Sequence, residues 1–348
     1  MCSYNAYFYE RNKKTMSSVI LPKEEPFTTT FTINASIVSV LLSDDRMHKW
    51  LLNNFIQINT FHNRYFDYYD FNFRNCPYID YQRIRKALLP DKEIISFIIN
   101  AIENGLYICL VVNTKYIQAW NRTFDMAHEL FIYGCDTEKK IFYISSNFKY
   151  GKYSNSTCSF LELENSIAMN AQENDYWDKW LKNNLVLISF DKSEKPKFYI
   201  DRVKNSIQDY LSGTQIKNWY VNQFLWSKEE IDNRAFGIDC YKALHGYIDR
   251  AVDNHDLDFG WRQSFHFMWE HKKIMLTRIK YMIDNEYLEN FDIADEYEYV
   301  VNHAQMSLSL LLKYSICKDE KLLNRAEDMC RKVKAQEMDI LQRLLHEL

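Results

Sequence analysis

Polar and apolar positions change rhythm part-way along this chain. Before residue 200, short apolar runs dominate. YICLVVN (107–113) has the length of a buried strand, and HELFIYGCD and KKIFYISSNF flank the turn-like Asp136-Thr137-Glu138, which predicts a strand followed by a hairpin. Ahead of them, DKEIISFIINAIENG sets apolar residues at 94, 95, 98, 99 and 102, a helical period that stops at Asn104-Gly105. Further upstream NASIVSVLL opens on Asn34, a favoured N-cap, so residue 35 is expected to be the first helical position. YIDYQRIRKALL, following Asn75-Cys76-Pro77, suits another helix. Ser159 with Glu162 makes a capping box for SFLELENSIAM. VLISF (186–190) and KFYI (197–200) suit two further strands.

From about Asp201 onward the pattern is helical. VNHAQMSLSLLLKYSI and KLLNRAEDMCRKVKAQEMDILQRLLHEL carry long i, i+3/i+4 apolar spacings without proline, as antiparallel bundle helices do. The expected fold class is α+β: an antiparallel-sheet domain over 1–205 and an all-α helical bundle over 206–348, divided near Ser212-Gly213. No repeat of fixed period is present.

Composition narrows the function. Seven glycines and five prolines in 348 residues exclude collagen-like and flexible low-complexity chains. No run of 18 apolar residues exists, and MCSYNAYFYERNKK lacks an apolar signal core, so neither a membrane span nor export is expected. Eight scattered cysteines without a Cys-x-x-Cys pair suit reduced thiols in a cytoplasmic protein. Residues 1–200 carry 23 basic and 22 acidic side chains and 201–348 carry 20 and 25, so neither half has the balance of a nucleic-acid binder.

The strong local motifs for nucleotides, zinc and serine hydrolysis are absent. No cofactor or metal is expected: His266 and His271, five apart on a helix, point away from each other. What remains is an order of parts. A helix begins near residue 35, His128 stands at the mouth of a strand, and a return strand ends in Ser145, Ser146 and Asn147. That order suits nucleophile, base and orienter: a helix start favours a thiolate, an imidazole pairs with it, and Asn147 fixes the tautomer. Cys76, at the start of its own expected helix, is a second nucleophile candidate, while Cys109 and Cys135 suit packing. YFDYYDFNF (65–73) offers Tyr68, Tyr69 and Phe71 as a groove for an elongated acyl chain. Arg83, Arg85 and Lys86 form a basic cluster that suits an acidic partner. Glu270, His271, Lys272 and Arg278 are placed to contact the first domain, with no chemistry assigned.

Three phrases, VNTKY (112–116), HELFIYGCD (128–136) and SNFKYGKY (146–153), resemble those of butirosin-biosynthesis-protein-H-like N-terminal domains, relatives of papain-like (C39-type) cysteine peptidases. The resemblance runs from roughly Thr28 to Ala168. It implies a papain-like fold and an acyltransferase of natural-product biosynthesis. In such an enzyme a thiol takes an acyl group from the phosphopantetheine thioester of an acyl carrier protein. His128 then moves the proton, an amine acceptor releases an amide, and Asn34 with backbone N–H groups meets the oxyanion. Peptidase or thioesterase chemistry is the hydrolytic alternative. The family's nucleophilic Cys aligns with Ala35, and its Asp residues with Asn113 and with Ser146 or Asn147. Three readings stay open: a Cys-to-Ala variant, an inactive carrier-protein or peptide binder, or Ser36 as nucleophile. Apolar stripes on the bundle helices suit either closure over a cleft or a homodimer.

Overall fold

The computed structural model describes residues 18–61, 65–70, 76–89, 93–168, 184–191, 196–213 and 232–348. Phe71, one of the expected groove residues, lies outside them. The chain forms two compact units: residues 1–22 with 81–189, and residues 23–80 with 190–348. It therefore passes between them at 22/23, 80/81 and 189/190, whereas the change of rhythm suggests one crossing near 205.

The first unit is built on a mixed-length sheet whose strands run in the order β4-β9-β5-β6-β7-β8, namely Ile79–Arg85, Asn184–Phe190, Tyr107–Asn113, Ala127–Asp136, Ile141–Asn147 and Tyr153–Ser159. β5 is buried along all seven residues, as an unbroken apolar run requires, and pairs antiparallel with β6 and β9. The β6–β7 hairpin forms where the turn residues place it. A register shift between Ile132 and Gly134 bends β6, and β1 (Ser18–Ile20) pairs beyond it. A Cβ at position 134 would lie 2.6 Å from the Val19 carbonyl oxygen, so only glycine lets β1 approach. Helix α3 (Ile94–Glu103) and α4 (Phe160–Ala168) cover the core of Ile98, Ile102, Leu110, Leu130, Ile144 and Leu163. The capping box of α4 is present: Ser159 N–H donates to Glu162 Oε2 at 2.7 Å, and Glu162 N–H to Ser159 Oγ at 3.1 Å.

Two expected elements differ. YIDYQRIRKALL is strand β4 followed by a 3₁₀ turn, Lys86–Leu88. Its Ile and Tyr residues pair against β9, and tertiary pairing overrides a weak helical period. KFYI is not a strand, because Ile200 already opens helix α5 (Ile200–Ser212). Lys86 turns inward and donates to the Val111 carbonyl at 2.7 Å, so the surface cluster reduces to Arg83 and Arg85.

The second unit holds helix α1 (Thr32–Leu41), α2 (His48–Leu51), a hairpin of β2 (Ile58–Phe61) and β3 (Tyr65–Tyr68), and helices α5, α6 (Tyr241–Asn254), α7 (Trp261–Asp284), α8 (Asp292–Cys317) and α9 (Lys321–Glu347). The last three pack in succession, as their apolar stripes predict. Gly237 enters a 3₁₀ turn ahead of α6 with φ of 52°, and a Cβ there would sit 2.2 Å from the Tyr210 carbonyl oxygen. No helix among the described residues is long and apolar enough to cross a membrane.

Candidate functional site

The resemblance assigns its nucleophile position to one unit and its base to the other: Ala35 belongs to the second, His128 and Asn147 to the first.

In the first unit, β5 ends on Asn113, whose side chain organises the loop to β6. Its Nδ2 donates to Asp125 Oδ1 at 2.8 Å, its Oδ1 accepts from Lys115 N–H at 3.2 Å, and its carbonyl accepts from Ser166 Oγ at 2.7 Å. His128 lies opposite Val112 in the β5–β6 register, and the Trp120 ring stands 5.6 Å away. Its Nδ1 faces the Glu129 carbonyl at 3.1 Å and Ser146 Oγ at 3.3 Å. Ser146 Oγ spends its own proton on the same carbonyl at 2.6 Å, so Nδ1 is the protonated nitrogen and Nε2 the basic one. Burial pushes the imidazole down to about 4, with the Arg122 charge acting in the same direction. Asn147 directs its amide to the Gly151 carbonyl at 3.1 Å, and its own carbonyl accepts from Trp120 Nε1 at 3.0 Å. The group beside Nδ1 is thus Ser146, one residue before the expected orienter.

In the second unit, α1 begins earlier than its sequence suggests. Phe31 is the N-cap, so Asn34 is the third helical residue and Ala35 the fourth. The cause is long-range. Glu270 of α7, fully buried, accepts from Thr29 N–H at 2.6 Å, Thr30 N–H at 3.1 Å and the Thr28, Thr29 and Thr30 hydroxyls at 3.2, 2.6 and 2.7 Å. This anchor fixes the chain two residues ahead of the helix. Ala35 N–H is already bonded to the Phe31 carbonyl at 2.9 Å, which removes it as an oxyanion donor. Ser36, fully buried, donates its hydroxyl to the Thr32 carbonyl at 2.7 Å. Cys76 stands ahead of a strand rather than a helix, and burial pushes its thiol up to about 12. Tyr68 and Tyr69 are interior residues. Tyr68 packs against Phe55 and Phe267, and Tyr69 donates to Gln57 Oε1 at 3.0 Å.

The sequence pattern does not disclose what α7 does with its other charges. His271 Nε2 donates to the Ile56 carbonyl at 3.0 Å, and Nδ1 accepts from Lys272 Nζ at 3.0 Å, which holds the ring neutral. Lys272 gives its other two protons to Tyr210 Oη and Glu337 Oε1, both at 2.8 Å. Glu337 also accepts from the hydroxyls of Tyr210, Tyr241 and Tyr297 at 3.0, 2.9 and 2.7 Å. Arg278 Nε donates to the Leu52 carbonyl at 2.8 Å and its Nη2 to that of Asn54. Every one of these charges is fully buried and satisfied, the condition under which burial is tolerated. The only forewarning is a charged run, Glu270 to Lys273, inside an apolar helical period. Among the described residues no cluster of His, Cys, Asp and Glu could hold a metal ion. No family model matches the chain, and no curated protein is significantly similar to it.

Proposed function

We propose that this chain is a catalytically inactive papain-like protein that recognises an acyl carrier protein bearing a phosphopantetheine-linked acyl chain. The observation that carries the reading is the state of α1. At the position where the resembling family keeps its thiol stands Ala35, and the neighbouring hydroxyl of Ser36 is committed to the Thr32 carbonyl. His128 is buried, and burial lowers its imidazole to about 4. Yet the approach to α1 is pinned by five hydrogen bonds to one buried carboxylate. A rigid frame without a nucleophile suits binding rather than turnover. The transferase reading, with an amine as acceptor, requires a thiol at position 35.

Calorimetric titration with acyl-loaded and unloaded carrier proteins, combined with intact-mass measurement, tests this. Saturable binding of a loaded carrier with no acyl adduct is expected. An adduct or turnover by the unaltered chain overturns inactivity, and failure to bind any loaded carrier overturns recognition. Ala35→Cys tests the papain-like identity separately: acylation at residue 35 supports it, and the absence of any adduct counts against it.

A further inference from the structure

We propose that the two loops at one end of the first unit's sheet, residues 114–126 and 148–152, form a peripheral docking surface for an anionic lipid bilayer. Both leave the same end of the sheet: the first joins β5 to β6 beyond the Asn113–Ala127 pair, and the second joins β7 to β8 beyond the Asn147–Tyr153 pair. Trp120 ties them together. It donates Nε1–H to the Asn147 carbonyl at 3.0 Å and packs edge-on against Phe148, with ring centroids 4.8 Å apart. The second loop is a tight turn in which Gly151 N–H donates to the Phe148 carbonyl at 3.1 Å and Lys152 N–H to the Lys149 carbonyl at 3.3 Å. Its two central residues, Tyr150 and Gly151, have φ of 58° and 68°. Glycine, asparagine and aspartate are favoured at such positions, because a larger side chain crowds the backbone there. Tyr150 takes one of them with its ring 77% exposed, so the turn holds an aromatic side chain in solvent against its backbone preference.

The same loops gather positive charge. They carry Lys115, Arg122, Lys149 and Lys152 against a single carboxylate, Asp125. Asp125 is taken by Lys115 at 3.4 Å and by Asn113 Nδ2 at 2.8 Å, which leaves Arg122, Lys149 and Lys152 without a carboxylate partner among the described residues. Each exposed ring has one of these cations beside it. Lys149 Nζ stands 5.3 Å from the Tyr150 ring, and Arg122 Cζ stands 5.7 Å from that of Phe124, itself 58% exposed. The β6–β7 turn at the opposite end differs: Asp136 and Glu138 balance Lys139 and Lys140, and Lys139 is spent on Asp136 at 3.2 Å. An aromatic ring beside a cation matches the bilayer interface, where the ring enters the acyl boundary and the cation stays among anionic head groups. Two narrow loop tips suit that occupant better than a protein, because a stable protein interface takes about 800 Å² from each partner. Nucleic acid would need a longer basic track than these loops provide.

Co-sedimentation of the full chain with sucrose-loaded vesicles at about 0.1 M salt tests this. Phosphatidylcholine vesicles containing about 30% phosphatidylserine should bind on the order of 100-fold more tightly than phosphatidylcholine alone, since three cations contribute roughly fivefold each. The double variant Lys149→Gln/Lys152→Gln should lose about 25-fold of that preference. Tyr150→Gly relieves the turn and so keeps the fold, yet should bind about threefold more weakly or worse, and Phe124→Ser should do the same. An unaltered chain that ignores anionic vesicles, or that binds neutral and anionic vesicles equally, overturns the proposal. So do folded variants that bind like the unaltered chain. Binding to immobilised polyglutamate but not to vesicles, lost in the same lysine variant, also overturns it by assigning the surface to an acidic protein.

Discussion

Glu337 is the centre on which the second unit's interior turns, and removing its charge alone is the sharpest test of that interior. Glu337→Gln keeps the volume but strands the Lys272 ammonium. Every remaining partner would be neutral: Tyr210 Oη, His271 Nδ1 and the carbonyl of the new amide. Both partners of the pair are fully buried, so solvent cannot compensate. Breaking one side of a buried ion pair costs about 3–5 kcal/mol, and since Gln retains one carbonyl acceptor the lower end, about 3 kcal/mol, is expected. The double variant Lys272→Met/Glu337→Gln removes the stranded charge, so its cost should fall short of the summed single costs by about 2 kcal/mol. Urea unfolding followed by far-ultraviolet circular dichroism measures both, read as a shift in midpoint at unchanged slope. A Glu337→Gln protein within about 1 kcal/mol of the unaltered chain, or strict additivity in the double variant, would refute the view that this pair is one electrostatic unit.

Two further outcomes follow from the site geometry. His128 has a folded-state pKa of about 4 against an ordinary 6.5. The unfolded chain therefore takes up a proton below pH 6.5 that the folded chain refuses, and stability falls by up to about 3 kcal/mol as pH drops from about 6.5 to 4. His128→Asn should lose less over that window, and an imidazole titrating near 6.5 by NMR would contradict the assignment. Glu270→Ala leaves the Thr29 and Thr30 N–H groups without their acceptor and should cost about 2–4 kcal/mol. Hydrogen exchange should then quicken across residues 28–35, and unchanged protection there would show that Glu270 does not anchor the start of α1.

What the sequence disclosed, and what it hid, divides along the range of the interactions involved. β5, the β6–β7 hairpin, α3 and the α4 capping box are specified by neighbours within a few positions, and each forms where its residues indicate. β8 was hidden because YSNSTCS has no apolar alternation; β7 makes it a strand. YIDYQRIRKALL misled because its helical period is weak and its partner, β9, lies a hundred residues away. The start of α1 departs from its local signal for a related reason: Asn34 is a good local cap, but Glu270 grips Thr28–Thr30 and sets the helix going at Thr32. His128 at a strand mouth is legible, while Ser146 rather than Asn147 lies beside its Nδ1 because successive side chains of β7 point to opposite faces of the sheet.

The charges of α7 explain why the physical units are not the sequence halves. Glu270, His271 and Arg278 each find their partners in residues 28–56, the part of the chain whose pattern belongs with the sheet domain. Hydrophobic burial alone would let an N-terminal segment slide over a helical bundle, since apolar contact is not directional. Carbonyls at Leu52, Asn54 and Ile56 and the amides of Thr29 and Thr30 permit no such slide, because a shift of one residue leaves a buried cation or carboxylate without its partner. These polar anchors therefore supply register where the apolar core supplies cohesion. They hold α1, the helix that carries Ala35, in a single register on the bundle.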